Sequence, residues 1–309
     1  MTLSASEGTS LLQTLSSHLA NAVEQAGRSV LIVNGRQRMS SSGIHWRPGL
    51  VITADHTLKR DDEITVTLPD QRTVPVTLVG RDASTDLALL KFDSADSPTA
   101  ELGDAAQLQV GQMVLALGRS ADSGLSASWG VVSSLGGAWR TWGGGQIDQF
   151  VRPDLAFYPG FSGGPLVNAQ GQVVGLNTLG LARRLGLTIP LATIERVVDQ
   201  LLKTGHIARG YLGVGMQPVR LPNSLQSELK LSGSGGVIVV SVEAGSPAEQ
   251  AGLLLGDILI TLDGSRLSDT GEVIALLGPD QVGKTVSVRL IRGGAPLDLV
   301  ITIGERQRK

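Results

Sequence analysis

The chain has 309 residues, with 26 basic and 28 acidic side chains and a net charge of −2. This balance gives no electrostatic footprint for nucleic acid or an anionic membrane. There is no cysteine, which excludes disulfides, thiolate zinc sites and a cysteine nucleophile. The length suggests two domains, and 40 glycines with few aromatic residues fit many tight turns between short strands.

The first thirty residues contain Glu7, no basic residue before Arg28 and no continuous apolar core. They do not read as a secretory leader. As written, the chain is expected in the cytoplasm; a chain already trimmed of its leader would be periplasmic or organellar. No apolar run approaches the ~20 residues of a spanning helix, because Asp257 interrupts the best stretch, Ala251 to Leu262.

In residues 9–26, Leu12, Leu15, Leu19 and Val23 recur at helical spacing before Gly27. Such a helix either packs on its own domain or meets another subunit. From Ser29 the pattern changes to short runs bounded by glycine and polar residues. Strands are expected at 30–33, 50–53, 64–68, 74–79 and 87–92, then at 113–117, 130–134, 149–152, 166–167, 173–176 and 186–189. Two groups of about six strands with little helix between them predict a mainly β fold of two six-stranded antiparallel barrels. Ile194, Val197, Val198, Leu201 and Leu202 then mark one helical face, which Gly205 ends. The resulting division is an N-terminal helical segment (1–28), a two-barrel domain (29–205), a linker (206–210) and a second domain (211–309). Strands in the last part are expected at 237–242, 257–262, 286–291 and 297–303, with short helices from Ser246 and over 270–277.

Chemistry concentrates at Gly160-Phe161-Ser162-Gly163-Gly164-Pro165-Leu166. Glycine beside the serine frees the backbone to present the hydroxyl and to aim neighbouring N–H groups into one cavity. A nucleophile with adjacent oxyanion donors is what acyl transfer requires. Alone, the run is also an ordinary surface turn. His56, at the end of an apolar strand, could be structural, and Asp86, just before a strand, could be turn chemistry. Taken together, Ser162, His56 and Asp86 supply nucleophile, base and orienting carboxylate in the order His, Asp, Ser of the chymotrypsin template. Gly160 and Ser162 would then donate the oxyanion N–H groups. Rate should rise with pH as His56 loses its proton.

The strand ending in Thr53-Ala54-Asp55-His56, the segment Asp86 to Lys91 and the Gly-Phe-Ser-Gly-Gly-Pro-Leu turn resemble the HtrA (Deg) family of trypsin-like serine proteases. The resemblance runs from about Val30 to the C-terminus. It extends to Gly210-Tyr211-Leu212-Gly213-Val214, which is similar to the carboxylate-binding loop of a PDZ domain. Gly245-Ser246-Pro247-Ala248, Ala251-Gly252-Leu253 and Gly256-Asp257 follow the same pattern. The resemblance implies a chymotrypsin-like protease domain followed by a PDZ domain. It implies cleavage of unfolded or misfolded polypeptides, and capture of C-terminal peptides at Tyr211, Leu212, Gly213 and Val214 by strand addition. A homotrimer or larger assembly is implied as well, with no cofactor.

Three positions depart from the family pattern. Phe161 stands where a small polar residue is usual, Asp55 replaces a common asparagine, and Gly137 occupies a site that often holds arginine. Phe161 supports an alternative: a catalytically silent peptide-binding scaffold or chaperone. The specificity pocket is expected from Leu155, Ala156, Phe157 and Leu187. None of these can pair with a basic side chain, so cleavage should follow small or medium aliphatic residues. No metal is expected, since the four histidines are scattered and form no H-E-x-x-H. Gly278 to Thr285 matches the nucleotide-binding G-x-x-x-x-G-K-T pattern, but its helix-before, strand-after context is the reverse of what phosphate binding needs, so no nucleotide is expected.

Overall fold

The computed structural model describes residues 5–37, 39–93, 97–182, 185–228 and 233–305, with side chains from residue 10 onward. The chain forms two units, 1–207 and 208–309.

The first unit begins with helix α1 (Ala5–Gly27). Its last turns bury Ala22 and Ala26, with Leu19 and Val23 packed beside them, whereas Leu12 stays 68% exposed and Leu15 37%. The strands that follow are β1 (Val30–Asn34), β2 (Ser41–Arg47), β3 (Leu50–Ala54), β4 (Thr65–Thr67), β5 (Thr73–Pro75), β6 (Thr77–Asp82) and β7 (Leu87–Lys91). They pair in the order β5-β4-β1-β2-β3-β7-β6. The expected single strand 74–79 is therefore two. Pro75 cannot donate to a ladder, and the next N–H, that of Val76, turns to Ile64 O at 3.1 Å. Because β5 and β6 end the sheet on opposite sides yet are joined through Val76 alone, the seven strands curl round on themselves without closing the last ladder.

The next strands are β8 (Met113–Ser120), β9 (Gly124–Gly136), the small pair β10 (Trp139–Arg140) and β11 (Gln146–Ile147), then β12 (Phe150–Asp154), β13 (Pro165–Asn168), β14 (Val173–Thr178) and β15 (Leu187–Pro190). Six of these close a barrel in the order β12-β15-β14-β13-β8-β9. This is the chymotrypsin-like arrangement. Strand β2 had no counterpart in the expected elements, since its polar Ser41 and Ser42 hide a strand buried on both faces.

Alternation explains the apolar runs. Leu31, Val33, Val51, Ala88 and Leu90 fill the first barrel, while Val30, Ile52, Leu87 and Leu89 point the other way. The outward set meets Leu115, Leu117, Val167 and Leu176 of the second barrel in a shared core. Helix α2 (Leu191–Thr204) covers this seam with Ile194, Val197, Val198 and Leu201. Leu202, expected on the same face, is 45% exposed. Gly205 ends the helix with φ 74°, its N–H on Leu201 O at 2.8 Å.

The second unit contains β16 (Gly210–Tyr211), β17 (Val214–Arg220), α3 (Asn223–Glu228), β18 (Gly235–Val242), α4 (Pro247–Gln250), β19 (Ile258–Leu262), β20 (Ser265–Arg266), α5 (Thr270–Leu276), β21 (Thr285–Arg292), β22 (Ala295–Thr302) and β23 (Gly304–Glu305). Its main sheet runs β17-β18-β19-β21-β22, and β16 pairs with β23. A capping box between Asp269 and Glu272 starts α5. The Gly278 to Thr285 stretch follows this helix and runs into β21, an order with no helix N-terminus facing a phosphate.

Asp257 is 1% exposed and accepts Arg292 Nε and Nη2 at 2.8 and 2.7 Å and Leu254 N–H at 2.8 Å. Burial alone would raise this carboxyl, but the Arg292 bonds, the Leu254 N–H and the Arg292 charge outweigh it and hold it below its ordinary 3.8. A carboxyl depressed on folding adds stability that is present above its unfolded value and is lost as pH falls through the folded one. Chemical denaturation should therefore show the second unit weakening below about pH 4, with Asp257→Asn flattening that slope. Arg292→Met should cost about 2–3 kcal/mol at neutral pH, discounted because Arg292 is one-third exposed.

Candidate active site

His56 is presented by a single turn. Strand β3 ends at Ala54, and Asp55–Thr57 form one turn of 3₁₀ helix. Thr57 Oγ1 closes the turn on Ala54 O at 2.7 Å. Asp55 is buried, and its carboxylate receives Arg81 Nε. The same guanidinium reaches Asp55 O and Leu58 O at 3.1 Å each and Asp61 Oδ1 at 2.8 Å. Burial pushes the Arg81 guanidinium down, but its bonds to Asp55 and Asp61 more than restore it and leave it raised. The departure at position 55 thus has a partner, and the His56 turn is clamped from β6.

Asp86 sits in the left-handed region, at φ 59°, a conformation aspartate tolerates better than most residues. Its carbonyl accepts Asp55 N–H at 3.1 Å and its Oδ1 accepts His56 N–H at 2.8 Å. The carboxylate then meets His56 Nδ1 at 2.8 and 3.0 Å. Thr178, at the end of β14, donates its hydroxyl to Asp86 Oδ2. Sequence reasoning missed Thr178, whose only signal is its place at the end of a buried strand. It also missed Gly180, where a Cβ would come within 2.5 Å of Asp86 Oδ2 and 2.6 Å of His56 Nδ1.

From the second barrel, Ser162 is tied to the strands that carry this pair. Its carbonyl accepts Ser42 N–H at 3.2 Å, and Ser42 O accepts Thr53 Oγ1 at 2.7 Å, three residues before His56. Gly163 N–H bonds Asn177 O at 2.9 Å, next to Thr178. Gly163, at φ 89°, admits no side chain, because a Cβ would lie 2.1 Å from Ser42 O. Among the described residues no hydrogen bond joins Ser162 Oγ to His56. The N–H groups of Gly160 and Ser162 likewise donate to no other group among the described residues, so both remain available to an incoming oxygen. The arrangement offers a hydroxyl, a carboxylate-oriented imidazole and two unengaged backbone donors.

The remaining expected positions lie nearby or in the second unit. Leu155 and Phe157 are half-buried, Ala156 is exposed with its N–H on Ser128 Oγ at 3.1 Å, and Leu187 is buried in β15. The Phe157 ring covers Gly186, where a Cβ would sit 2.1 Å from it. In the second unit, Leu212 is buried and Gly213 turns at φ 80°. Ala248 N–H bonds Leu212 O and Glu243 N–H bonds Gly213 O, each at 2.8 Å. Tyr211 donates its hydroxyl to Glu243. Val214 opens β17, an end strand of its sheet. The N–H groups of Leu212 and Gly213 have no acceptor among the described residues. No cluster of metal-ligating side chains occurs among the described residues.

Gly180→Ala tests the pair directly. The added methyl must push His56 off Asp86, so hydrolysis of a peptide substrate should fall at least ~100-fold, the order of losing a positioned acid–base partner. Melting temperature should change far less.

Comparison with known proteins identifies both domains. The trypsin-like peptidase domain family matches residues 41–176, and the PDZ domain family matches 210–303. A probable periplasmic serine endoprotease, DegP-like, of Hahella chejuensis is 34% identical over 279 residues, 88% of this chain and 58% of that protein. Its counterpart in Pseudomonas putida (strain W619) is 36% identical over 273 residues, 87% and 56%. The chain therefore spans somewhat over half the length of these curated relatives. The structure of the HtrA-type protease AlgW with a tripeptide superimposes with TM-score 0.71 at 30% identity, over 94% of this chain and 98% of that one. The serine endoprotease from Yersinia pestis gives 0.73 at 28% identity, over 94% and 98%. On the strength of barrels, site and relatives together, the chain belongs to the HtrA family of trypsin-like serine proteases.

Proposed function

We propose that this chain is a serine endopeptidase in which His56, Asp86 and Ser162 form the catalytic triad. The observation that carries the reading is the His56–Asp86 pair, bonded through Nδ1 at 2.8 Å, beside a Ser162 turn with two unengaged N–H donors. Asp86 fixes the tautomer that places a proton on Nδ1 and leaves Nε2 basic. Nε2 takes the Ser162 proton as Oγ attacks a peptide carbonyl. The oxygen, now negative, is held by Gly160 and Ser162 N–H, a contribution of ~3 kcal/mol per donor. The imidazolium passes its proton to the leaving amine, and water repeats the sequence on the acyl-enzyme. The Ser162–His56 bond, absent at rest, forms as the substrate seats.

The substrate class follows from chemistry and kinship. Extended, unfolded polypeptides can reach a cleft of this kind, and Leu155, Ala156, Phe157 and Leu187 offer no charge. The Phe157 ring pressed against Gly186 narrows this apolar lining, which supports a small or medium aliphatic side chain. The Tyr211 to Val214 loop, with two unengaged N–H groups leading into end strand β17, suits the carboxylate of a C-terminal peptide and addition of that peptide as a strand. The apolar stripe of Leu11, Leu12 and Leu15 on α1, all exposed, supports a homotrimer or larger assembly. The curated relatives are named periplasmic, which favours that compartment over the cytoplasm expected from the N-terminal residues; no helix among the described residues is long and apolar enough to cross a membrane.

The missing Ser162–His56 bond also favours a second reading, a silent peptide-binding scaffold. A fluorophosphonate probe separates the two. Labelling of the wild type but not of Ser162→Ala supports the protease, and absence of labelling even with a C-terminal peptide added supports the scaffold. For specificity, Phe157→Ala should uncover Gly186 and shift a cleaved peptide library toward leucine and phenylalanine before the scissile bond. The change per methylene should be about tenfold, and an unchanged profile would remove Phe157 from the pocket.

A further inference from the structure

We infer that Phe161 is a positioning residue, an apolar anchor that pre-sets the oxyanion turn; this rests on the protease reading above. Phe161 is 2% exposed and belongs to the interior of the second barrel, with Val114, Ala116, Val151 and Leu166. Its ring lies on Gly118, where a Cβ would approach Cδ1 to 2.5 Å, and meets the edge of Tyr158 with centroids 5.4 Å apart. A small polar residue at this position could make none of these contacts.

The two peptide groups flanking the Phe161 Cα are each pinned. In the group before it, Gly160 O accepts Ser42 Oγ at 2.7 Å and Phe161 N–H donates to Tyr158 O at 3.1 Å. Ser42 is itself fully buried, and its Oγ accepts Arg119 N–H at 2.8 Å. In the group after it, Phe161 O accepts Gly164 N–H at 3.0 Å. Because a trans peptide is planar, its N–H points opposite to its C=O. The bond to Gly164 therefore sets the direction of Ser162 N–H. Gly160 N–H belongs to the preceding peptide, which leads into the pinned Gly160 carbonyl through a left-handed Gly160 at φ 92°. Swinging Ser162 N–H away breaks the Phe161 O–Gly164 bond, and displacing the Phe161 Cα, from which the turn is hung, drags the ring out of its socket. A cavity of about 340 Å³ adjoins the ring on the Tyr158 and Pro159 side, so truncation would leave the turn unsupported there. The residue that departs from the family pattern thus does by burial what a polar side chain would have to do by hydrogen bonding.

The test uses the full chain and a chromogenic peptide substrate. Phe161→Leu keeps an apolar plug and should retain kcat within about fivefold. Phe161→Ala and Phe161→Asn should lower kcat ~30-fold or more, approaching the 10²–10³ of a lost oxyanion donor. In both, KM should move less than about threefold and the pH profile should keep its shape, since His56 and Asp86 are untouched. Hydrogen exchange of the 155–166 segment gives a readout independent of turnover. At the bonded N–H groups of Phe161, Gly163 and Gly164 it should be slow in the wild type and Phe161→Leu, and faster in the other two variants while β14 stays protected. Wild-type kcat and exchange in Phe161→Ala, a loss in KM alone, or faster exchange throughout the second barrel would each overturn the inference. If the wild type is inert to substrate and to fluorophosphonate, the protease reading falls, and the exchange data still decide the anchor.

Discussion

Everything at the site is arranged around one nearly buried carboxylate. Asp86 is 3% exposed, and an ionised carboxylate is an acceptor only, so its lone pairs must be met by donors. They come from different parts of the chain: the N–H and Nδ1 of His56 and the hydroxyl of Thr178. The first two lie on the turn after β3 and the third on β14, so one side chain ties the first barrel to the second. The left-handed backbone at Asp86 is what lets its carbonyl meet Asp55 N–H while its carboxylate meets His56. In a region of low dielectric such bonds reinforce one another, and losing one leaves the rest poorly matched. The imidazole orientation is thus set before any substrate arrives.

The two halves of the site were not equally legible in the sequence. Runs such as Leu87 to Leu90 announce a strand because both of their faces are covered, one by the barrel interior and one by the seam. The Gly-Phe-Ser-Gly-Gly-Pro turn announces itself through glycines that have no room for a Cβ, as Gly163 and Gly164 show. Thr178 and Gly180 carried no comparable mark, because their importance lies in contacts with Asp86 and His56, about ninety and more than a hundred residues away. Strand β2 was missed for a related reason: Ser41 and Ser42 look like loop residues until Thr57 Oγ1 and Gly160 O take their hydroxyl protons. Strand β17 was obscured by Gly215 and Pro218, which an end strand tolerates and a central one does not.

The departures from the family pattern are also where sequence alone was least informative. Asp55 read by itself is a buried charge, costly unless paired. With Arg81 it becomes a clamp, since the guanidinium fork spans the side chain and carbonyl of Asp55 and the carbonyl of Leu58 at once. That geometry suits arginine and not lysine, whose single ammonium cannot hold such a planar set. Pairing at positions 55 and 81 is invisible to a one-dimensional reading, because the register between β3, β7 and β6 brings the two together.

The same logic connects the catalytic turn to the rest of the fold. Ser42 stands on β2, which pairs with β3, and β3 leads directly to His56. Through its N–H and Oγ it also holds the carbonyls on either side of Phe161. His56 and the Ser162 turn are therefore referenced to one strand pair. Hydrogen bonds to Ser42 supply the direction of the turn, while the Phe161 socket in the second barrel supplies its depth. In the proposed mechanism Ser162 is thus held between two fixed points before substrate arrives, so that less of the cost of orienting it falls on binding.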